Sequence, residues 1–279
     1  MKKQIPLIII TFVFLIGLGI LFYPAVSEYI NRKSQTKAMN DYTQIVSGLD
    51  KNDYEDILER AHQMNEDMAE GKNRYDSKEE WDKAYQAALR VGTSDVMGYV
   101  EIPKINVKLP IYHTTGSSVL QSGIGHLQGT SLPIGGKSTH TVLSGHRGLP
   151  SAKLLSDLEE MESGDIFTIH VLDRLLTYQV DQIEVVTSED VDSLKIVRGQ
   201  DYVTLITCTP YGINTHRLLV RGHRIENLPE NRGVSVVVPN YEMRIDMYLI
   251  VSVSAGLIMA LVFVILLLYN RRYKQKNKL

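Results

Sequence analysis

The sequence predicts an all-β domain, sandwich or barrel, preceded by a helical segment and bracketed by a membrane-spanning helix at each end. Three observations carry that prediction. Two uncharged apolar runs lie at the termini, a proline-free stretch rich in Ala, Glu, Gln, Lys and Met follows the first, and short β-branched runs fill the middle.

The terminal runs come first. Ile5–Tyr23 holds 19 residues without a charge and Tyr248–Tyr269 holds 22. Each can cross a hydrocarbon core about 30 Å thick at about 1.5 Å per residue. Lys2 and Lys3 precede the first run; Arg271, Arg272, Lys274, Lys276 and Lys278 follow the second, with no acidic residue in either end. Basic flanks mark the cytoplasmic side, so both termini read as cytoplasmic and residues 28–247 as outside the cell membrane. Ala25-Val26-Ser27 resembles a small-residue cleavage site, which leaves a signal peptide as the alternative for the first run. The second run ends in Arg-Arg-Tyr-Lys and reads as an anchor.

The charge balance narrows the partners. The formal net charge is −2, but the two ends leave 23 of the 30 basic residues to face all 32 acidic ones, a middle of −9. A polyanion-binding domain carries the opposite sign, so nucleic acid is not an expected partner. A lipid bilayer is. With one cysteine, Cys208, an intramolecular disulfide is impossible and a thiolate zinc site has no support.

Residues 28–95 read as helical. Tyr54, Ile57, Leu58, Ala61, Met64 and Met68 recur at helical spacing, Glu70–Asn73 marks a break, and Ser77-Lys78-Glu79-Glu80 fits a capping box opening a helix through Trp81, Tyr85, Ala88 and Leu89. A stalk or packing helices account for this segment more simply than a partner-binding coiled coil. From Val96 the strand runs are Gly98–Ile102, Val107–Tyr112, Thr139–Ser144, Ile166–Val171, Leu176–Thr187, Tyr202–Thr207 and Arg217–Ile225. Leu172-Asp173-Arg174 suggests a hairpin, and Ala152–Met161 a helix within the β region. The chain thus divides into a membrane or signal-anchor segment 1–27, a helical extension 28–95, a β domain 96–230, a linker 231–247, a second span 248–269 and a basic tail 270–279.

Chemistry gathers at strand ends. Cys208 closes the apolar run Val203–Thr207 and is followed by Thr209-Pro210-Tyr211-Gly212, where proline cannot continue a ladder. An inert buried thiol is the plain alternative. A thiol nucleophile needs a base or cation nearby and a group to hold the oxyanion. Of eight histidines, His146 stands apart in Ser144-Gly145-His146-Arg147-Gly148, at the exit of a strand between glycines. His62, His140 and His170 read as surface or packing residues, His113 and His126 fall near turns and are weak candidates, and His216 and His223 are near Cys208 in sequence only. Arg217 and Arg221 share a strand face by alternation, and in a hairpin Arg217 would return beside the cysteine.

Thr204-Leu205-Ile206-Thr207-Cys208 matches the TLxTC signature of sortases, Ser144–Gly148 resembles the segment carrying their histidine, and Arg217 matches their arginine. The resemblance runs from about Val96 to Ile225 and includes Gly98-Tyr99-Val100-Glu101-Ile102-Pro103 and Gly129-Thr130-Ser131-Leu132-Pro133. The C-terminal anchor and helical extension resemble class C, the pilin-polymerising sortases of Gram-positive bacteria. The resemblance implies an eight-stranded β-barrel with Cys208, His146 and Arg217 lining a groove, and transpeptidation of an LPxTG-like signal to a pilin lysine. It implies no metal or organic cofactor. Class C enzymes usually carry a lid with an Asp-Pro-aromatic motif; residues 65–95 contain no such tripeptide, leaving Asp76 and Trp81 as the candidate lid pair.

Three rivals remain at this stage. A housekeeping sortase anchoring proteins to peptidoglycan would share the first half-reaction. A papain-like peptidase would place its cysteine at a helix start, not a strand end. A non-enzymatic membrane-anchored scaffold would be indifferent to Cys208→Ala.

Overall fold

The computed structural model describes residues 5–72, 74–227 and 247–276. The linker expected at 231–247 lies outside them except for Met247, as do residues 228–230 and the last three of the tail. The chain divides into two units, residues 1–30 with 235–279, and residues 31–234.

In the first unit, helix α1 (Ile5–Ser47) supplies its N-terminal part and helix α5 (Met247–Lys276) the rest. Phe14 stacks on Phe263 with centroids 4.6 Å apart, and Gly256 leaves room for Phe22, whose ring would lie 2.9 Å from an added Cβ. Ile9, Phe12, Val13, Ile16 and Ile20 stay exposed. Apolar side chains facing outward along a helix of this length need a lipid environment. Among the described residues α1 alone is long and apolar enough to cross a membrane; the apolar stretch of α5, Val253–Leu266, is shorter.

The second unit is a closed, mixed eight-stranded barrel with helices packed on it. The strands are β1 (Val96–Ile102), β2 (Val107–His113), β3 (Ile124–His126), β4 (Thr139–Ser144), β5 (Ile166–Val171), β6 (Arg174–Thr187), β7 (Asp201–Thr209) and β8 (His216–Ile225). They close in the order β1-β2-β3-β4-β7-β8-β6-β5. The pairs β2–β3 and β4–β7 run parallel, the other six antiparallel. Alternation sends Val100, Ile111, Leu143, Phe167, Leu205 and Val220 inward, all fully buried. The suggested hairpin forms at β5–β6, where Val171 pairs with Arg174 and Leu172 adopts φ 52°.

The helical extension belongs to the same core. Helices α2 (Lys51–Ala69) and α3 (Lys78–Ala87) follow α1, with the short α4 (Ser117–Ser122) between β2 and β3, and Tyr42, Ala61, Met64, Tyr85 and Leu89 are buried with the barrel residues. Tyr42 accepts from Leu172 N at 2.7 Å and donates to Met97 O at 3.0 Å. The Asn65 amide bonds Leu132 both ways, at 2.6 and 3.1 Å. Packing, not a free stalk, is what the apolar spacing served. Ser77 caps α3, accepting from Glu80 N at 3.2 Å, while Glu80 reaches back to Asp76 N at 3.0 Å.

Three features differ from the sequence reading. The β strand Ile124–His126 was not legible as a run, and Leu89 lies beyond the end of α3 at φ 56°. Ala152–Met161 is not a helix but a series of turns ending in a 3-10 turn at Leu158–Glu160. Leu154 sits at φ 43°, and Leu155 N donates to His146 O at 3.2 Å instead of to a carbonyl one turn back. Leu154, Leu155 and Leu158 are buried, so the spacing was a true burial signal in a non-helical segment.

Candidate active site

Three neighbouring strands, β4, β7 and β8, bring the singled-out residues into one row. The parallel β4–β7 ladder runs from Thr139↔Asp201 to Ser144↔Ile206. Its register persists past the end of β4: Gly145 N donates to Ile206 O at 3.0 Å, and Thr207 Oγ1 donates to Gly145 O at 2.9 Å. His146 is the next residue on one strand and Cys208 the next on the other. Across the antiparallel β7–β8 ladder, Cys208 pairs with Arg217. All three are half-buried.

Cys208 shares its face of β7 with Ile206 and Thr204. That outer face carries a small apolar cluster, Val142, Ile206 and Leu219, with Leu127, Val186 and Leu194 packed against it. The row therefore adjoins an apolar floor on the outside of the barrel. The Arg217 guanidinium donates from Nη1 to Asn214 O at 3.1 Å and His216 O at 3.0 Å, which holds the turn between β7 and β8. Arg221, the other arginine on that face, is committed elsewhere: it grips Asp181 with two bonds at 3.0 and 3.1 Å and lies 4.3 Å over the Tyr202 ring.

A Cβ would crowd a neighbouring side chain at both glycines flanking His146 and Arg147. A Cβ on Gly145 would come 2.8 Å from Leu155 Cδ1, and one on Gly148 would come 2.7 Å from Tyr211 Cε2, at φ 76°. The second also needs the left-handed conformation. The turn that presents His146 is thus fixed by close packing on the segment after it.

The remaining histidines have other work. His126 is fully buried; its Nε2 donates to Ser131 O at 2.9 Å and its Nδ1 faces the Tyr85 hydroxyl at 2.9 Å, and burial pushes its pKa down to about 4. Burial, then Lys108, pushes His170 to about 4, and it stacks on Tyr99. Burial also lowers His113, bonded to Ala88 O, and His140, bonded to Lys195 O and Thr204 Oγ1. His216 pairs with Thr209 on the opposite strand face from Arg217 and bonds Thr215; His223 lies 3.8 Å from Asp181.

Trp81 stacks on Tyr85 with centroids 5.4 Å apart, and Asp76 is exposed beside the start of α3. Among the described residues no hydrogen bond, ion pair or ring contact joins either to Cys208, His146 or Arg217. Nor is any group of three or more His, Cys, Asp or Glu side chains placed to hold a metal ion.

Sequence reading passed over Arg147. Its side chain is only 4% exposed, bonds Thr209 Oγ1 at 3.2 Å and Glu159 at 2.5 Å, and lies over the Tyr211 ring. Its place inside the histidine-bearing pentapeptide was the available signal.

A thiol near a strand end, level with a histidine and an arginine beside it on a mixed barrel, can carry cysteine acyl transfer. A sortase-domain family model matches residues 100–225. The crystal structure of sortase C1 from Streptococcus agalactiae is 50% identical, with a TM-score of 0.66 over 69% of this chain and 100% of that one. Sortase C of Clostridium perfringens, solved with the C-terminal cell wall sorting motif, is 42% identical, with a TM-score of 0.61 over 69% and 100%. Sortase C of Streptococcus pneumoniae is 44% identical, with a TM-score of 0.61 over 68% and 97%. The chain belongs to the sortase family. It is a cysteine transpeptidase whose structural neighbours at 40–50% identity are class C sortases.

Proposed function

We propose that this sortase is a membrane-anchored, pilin-polymerising enzyme. It would cleave an LPxTG-like sorting signal between Thr and Gly and transfer the threonyl group to a pilin lysine. The observation that carries the reading is the level placement of His146, just past the end of β4, with Cys208 on β7 and Arg217 on β8, beside an apolar floor. The sorting motif held by the Clostridium perfringens relative and the pilin substrates named for the Streptococcus pneumoniae one support the substrate class.

In this reading the Cys208 thiolate attacks the threonine carbonyl, and Arg217 steadies the oxyanion and the peptide. The tetrahedral adduct collapses to a thioester as the C–N bond breaks, and the His146 imidazolium gives its proton to the departing glycine amine. A lysine amine then attacks the thioester, His146 takes the proton back, and an isopeptide bond forms as the thiolate leaves. Tethering enzyme and substrate to one bilayer offsets slow turnover by raising effective concentration.

The apolar, outward-facing start of α1 supports a membrane anchor, and the basic flanks of the two terminal helices support cytoplasmic termini with a catalytic domain outside. Asp76 and Trp81 remain the candidate lid pair, one beside the start of α3 and the other stacked on Tyr85. The test uses the detergent-solubilised full chain and a fluorogenic LPxTG peptide with and without hydroxylamine. Cleavage accelerated by hydroxylamine and lost by at least about 1,000-fold in Cys208→Ala is the expected result. Cleavage that survives Cys208→Ala would end the reading.

A further inference from the structure

We infer that Arg147 is a positioning residue: its guanidinium clamps the turn that carries His146 to the strand end that carries Cys208. The inference rests on the catalytic reading above and adds a residue to it.

Three contacts make the clamp. Arg147 follows His146 directly, so any shift of its backbone moves the imidazole. Its Nη1 donates to Thr209 Oγ1 at 3.2 Å, and Thr209 directly follows Cys208. Its Nη2 meets Glu159 Oε1 at 2.5 Å, on the turn after the histidine loop. The guanidinium carbon lies 5.8 Å from the centre of the Tyr211 ring, in the turn between β7 and β8. The neighbouring Gly148 packs against that same ring, and its N–H donates to Ser156 Oγ at 3.1 Å.

The ladder alone does not fix His146. The last β4–β7 pair is Ser144↔Ile206, and the bonds that continue it stop at Gly145. Past that point His146 O still takes Leu155 N at 3.2 Å, but the backbone bonds to the cysteine strand end there, and the turn's hold on β7 depends on side-chain contacts. Arg147 supplies them from one planar fork, addressing the cysteine strand with one nitrogen and the following turn with the other. Its Nε is buried with no partner. A buried unpaired donor is costly, and a surface-seeking arginine held at 4% exposure is not placed there by solubility. Glu159 neutralises the charge, so the guanidinium works here through its geometry.

This predicts a signature distinct from loss of stability. Displacing a general acid by about 1 Å costs on the order of 100-fold in turnover without touching peptide binding. The experiment uses the full chain with Arg147→Met and Arg147→Lys, measuring kcat and KM for a sorting peptide. Alkylation of Cys208 by iodoacetamide is followed across pH, and it reports one site because the chain has one cysteine. Cys208→Ala and His146→Ala run alongside. The expected result is a loss of kcat of about 100-fold in Arg147→Met with KM within about two-fold. Arg147→Lys, which keeps the charge and loses the fork, falls with it. The alkylation profile of both moves toward that of His146→Ala.

Wild-type kcat in Arg147→Met, beside a dead Cys208→Ala, would overturn the positioning role and leave the catalytic reading intact. Full turnover in Arg147→Lys would assign the effect to charge and overturn the clamp. Turnover surviving in Cys208→Ala would remove the catalytic reading and the proposal with it. Should Arg147→Met fail to fold, Glu159→Gln and Thr209→Val decide the matter: each is expected to lower kcat by about five-fold, and wild-type kcat in both would overturn the proposal.

Discussion

The two faces of β4, β7 and β8 use alternate residues of the same short runs for different ends. Inward lie Leu143, Leu205, Leu218 and Val220, buried in the main core. Outward lie Val142, Ile206 and Leu219, and beyond them the row of His146, Cys208 and Arg217. The inner face supplies stability and, through it, register. The outer face inherits its geometry from that register, because a slip of one residue would exchange the two sets. A half-buried polar row is affordable on a strand whose other face is dry.

Separate perturbation of the two faces tests that division. Leu205→Ala should cost about 3–5 kcal/mol, seen as a lowered Tm, while turnover per folded molecule stays near wild type. Ile206→Ala, one residue along and facing out, should cost less, about 2 kcal/mol, and raise KM for the sorting peptide. Equal stability losses with unchanged KM in both would show that the faces are not divided in this way.

The histidines sharpen the same contrast. His126 sits neutral in the core, its pKa pushed to about 4 by burial, whereas in the unfolded chain it titrates near 6.5. Between those values the unfolded state holds the extra proton, so stability falls as pH drops from about 6.5 to about 4 and is insensitive to this group above that window. The loss attributable to His126 should reach up to about 3 kcal/mol, measured by denaturant unfolding at pH 7.5, 5.5 and 4.5. A flat stability across that range would contradict the burial assigned to it. His170, also pushed to about 4 by burial, adds to the slope in the same direction.

Much of this architecture was legible because the strands are amphipathic runs bounded by turn residues. Thr139–Ser144 and Ile166–Val171 are strands over the residues their composition suggested. The three-residue β3 was not, since Ile124–His126 is too short to show alternation and is buried on every side. Ala152–Met161 misled because buried leucines at helical spacing also suit a chain of turns when one backbone donor is spent on His146 O. At the site, Cys208 and His146 were visible as polar residues at strand exits. Their alignment was not, because a parallel pairing between segments some 60 residues apart leaves no local trace. The fate of Arg221 was equally hidden: its partner Asp181 occupies a β-bulge between Val180 and Gln182.

The central claim is that Cys208 carries the acyl group. Its most direct test is the intact mass of the full chain after brief incubation with a sorting peptide. The account expects an added mass equal to the peptide through its threonine, mapped to Cys208, removed by hydroxylamine and trapped in greater amount when no acceptor amine is present. Peptide cleavage with no adduct on Cys208, or an adduct that hydroxylamine leaves in place, would contradict it.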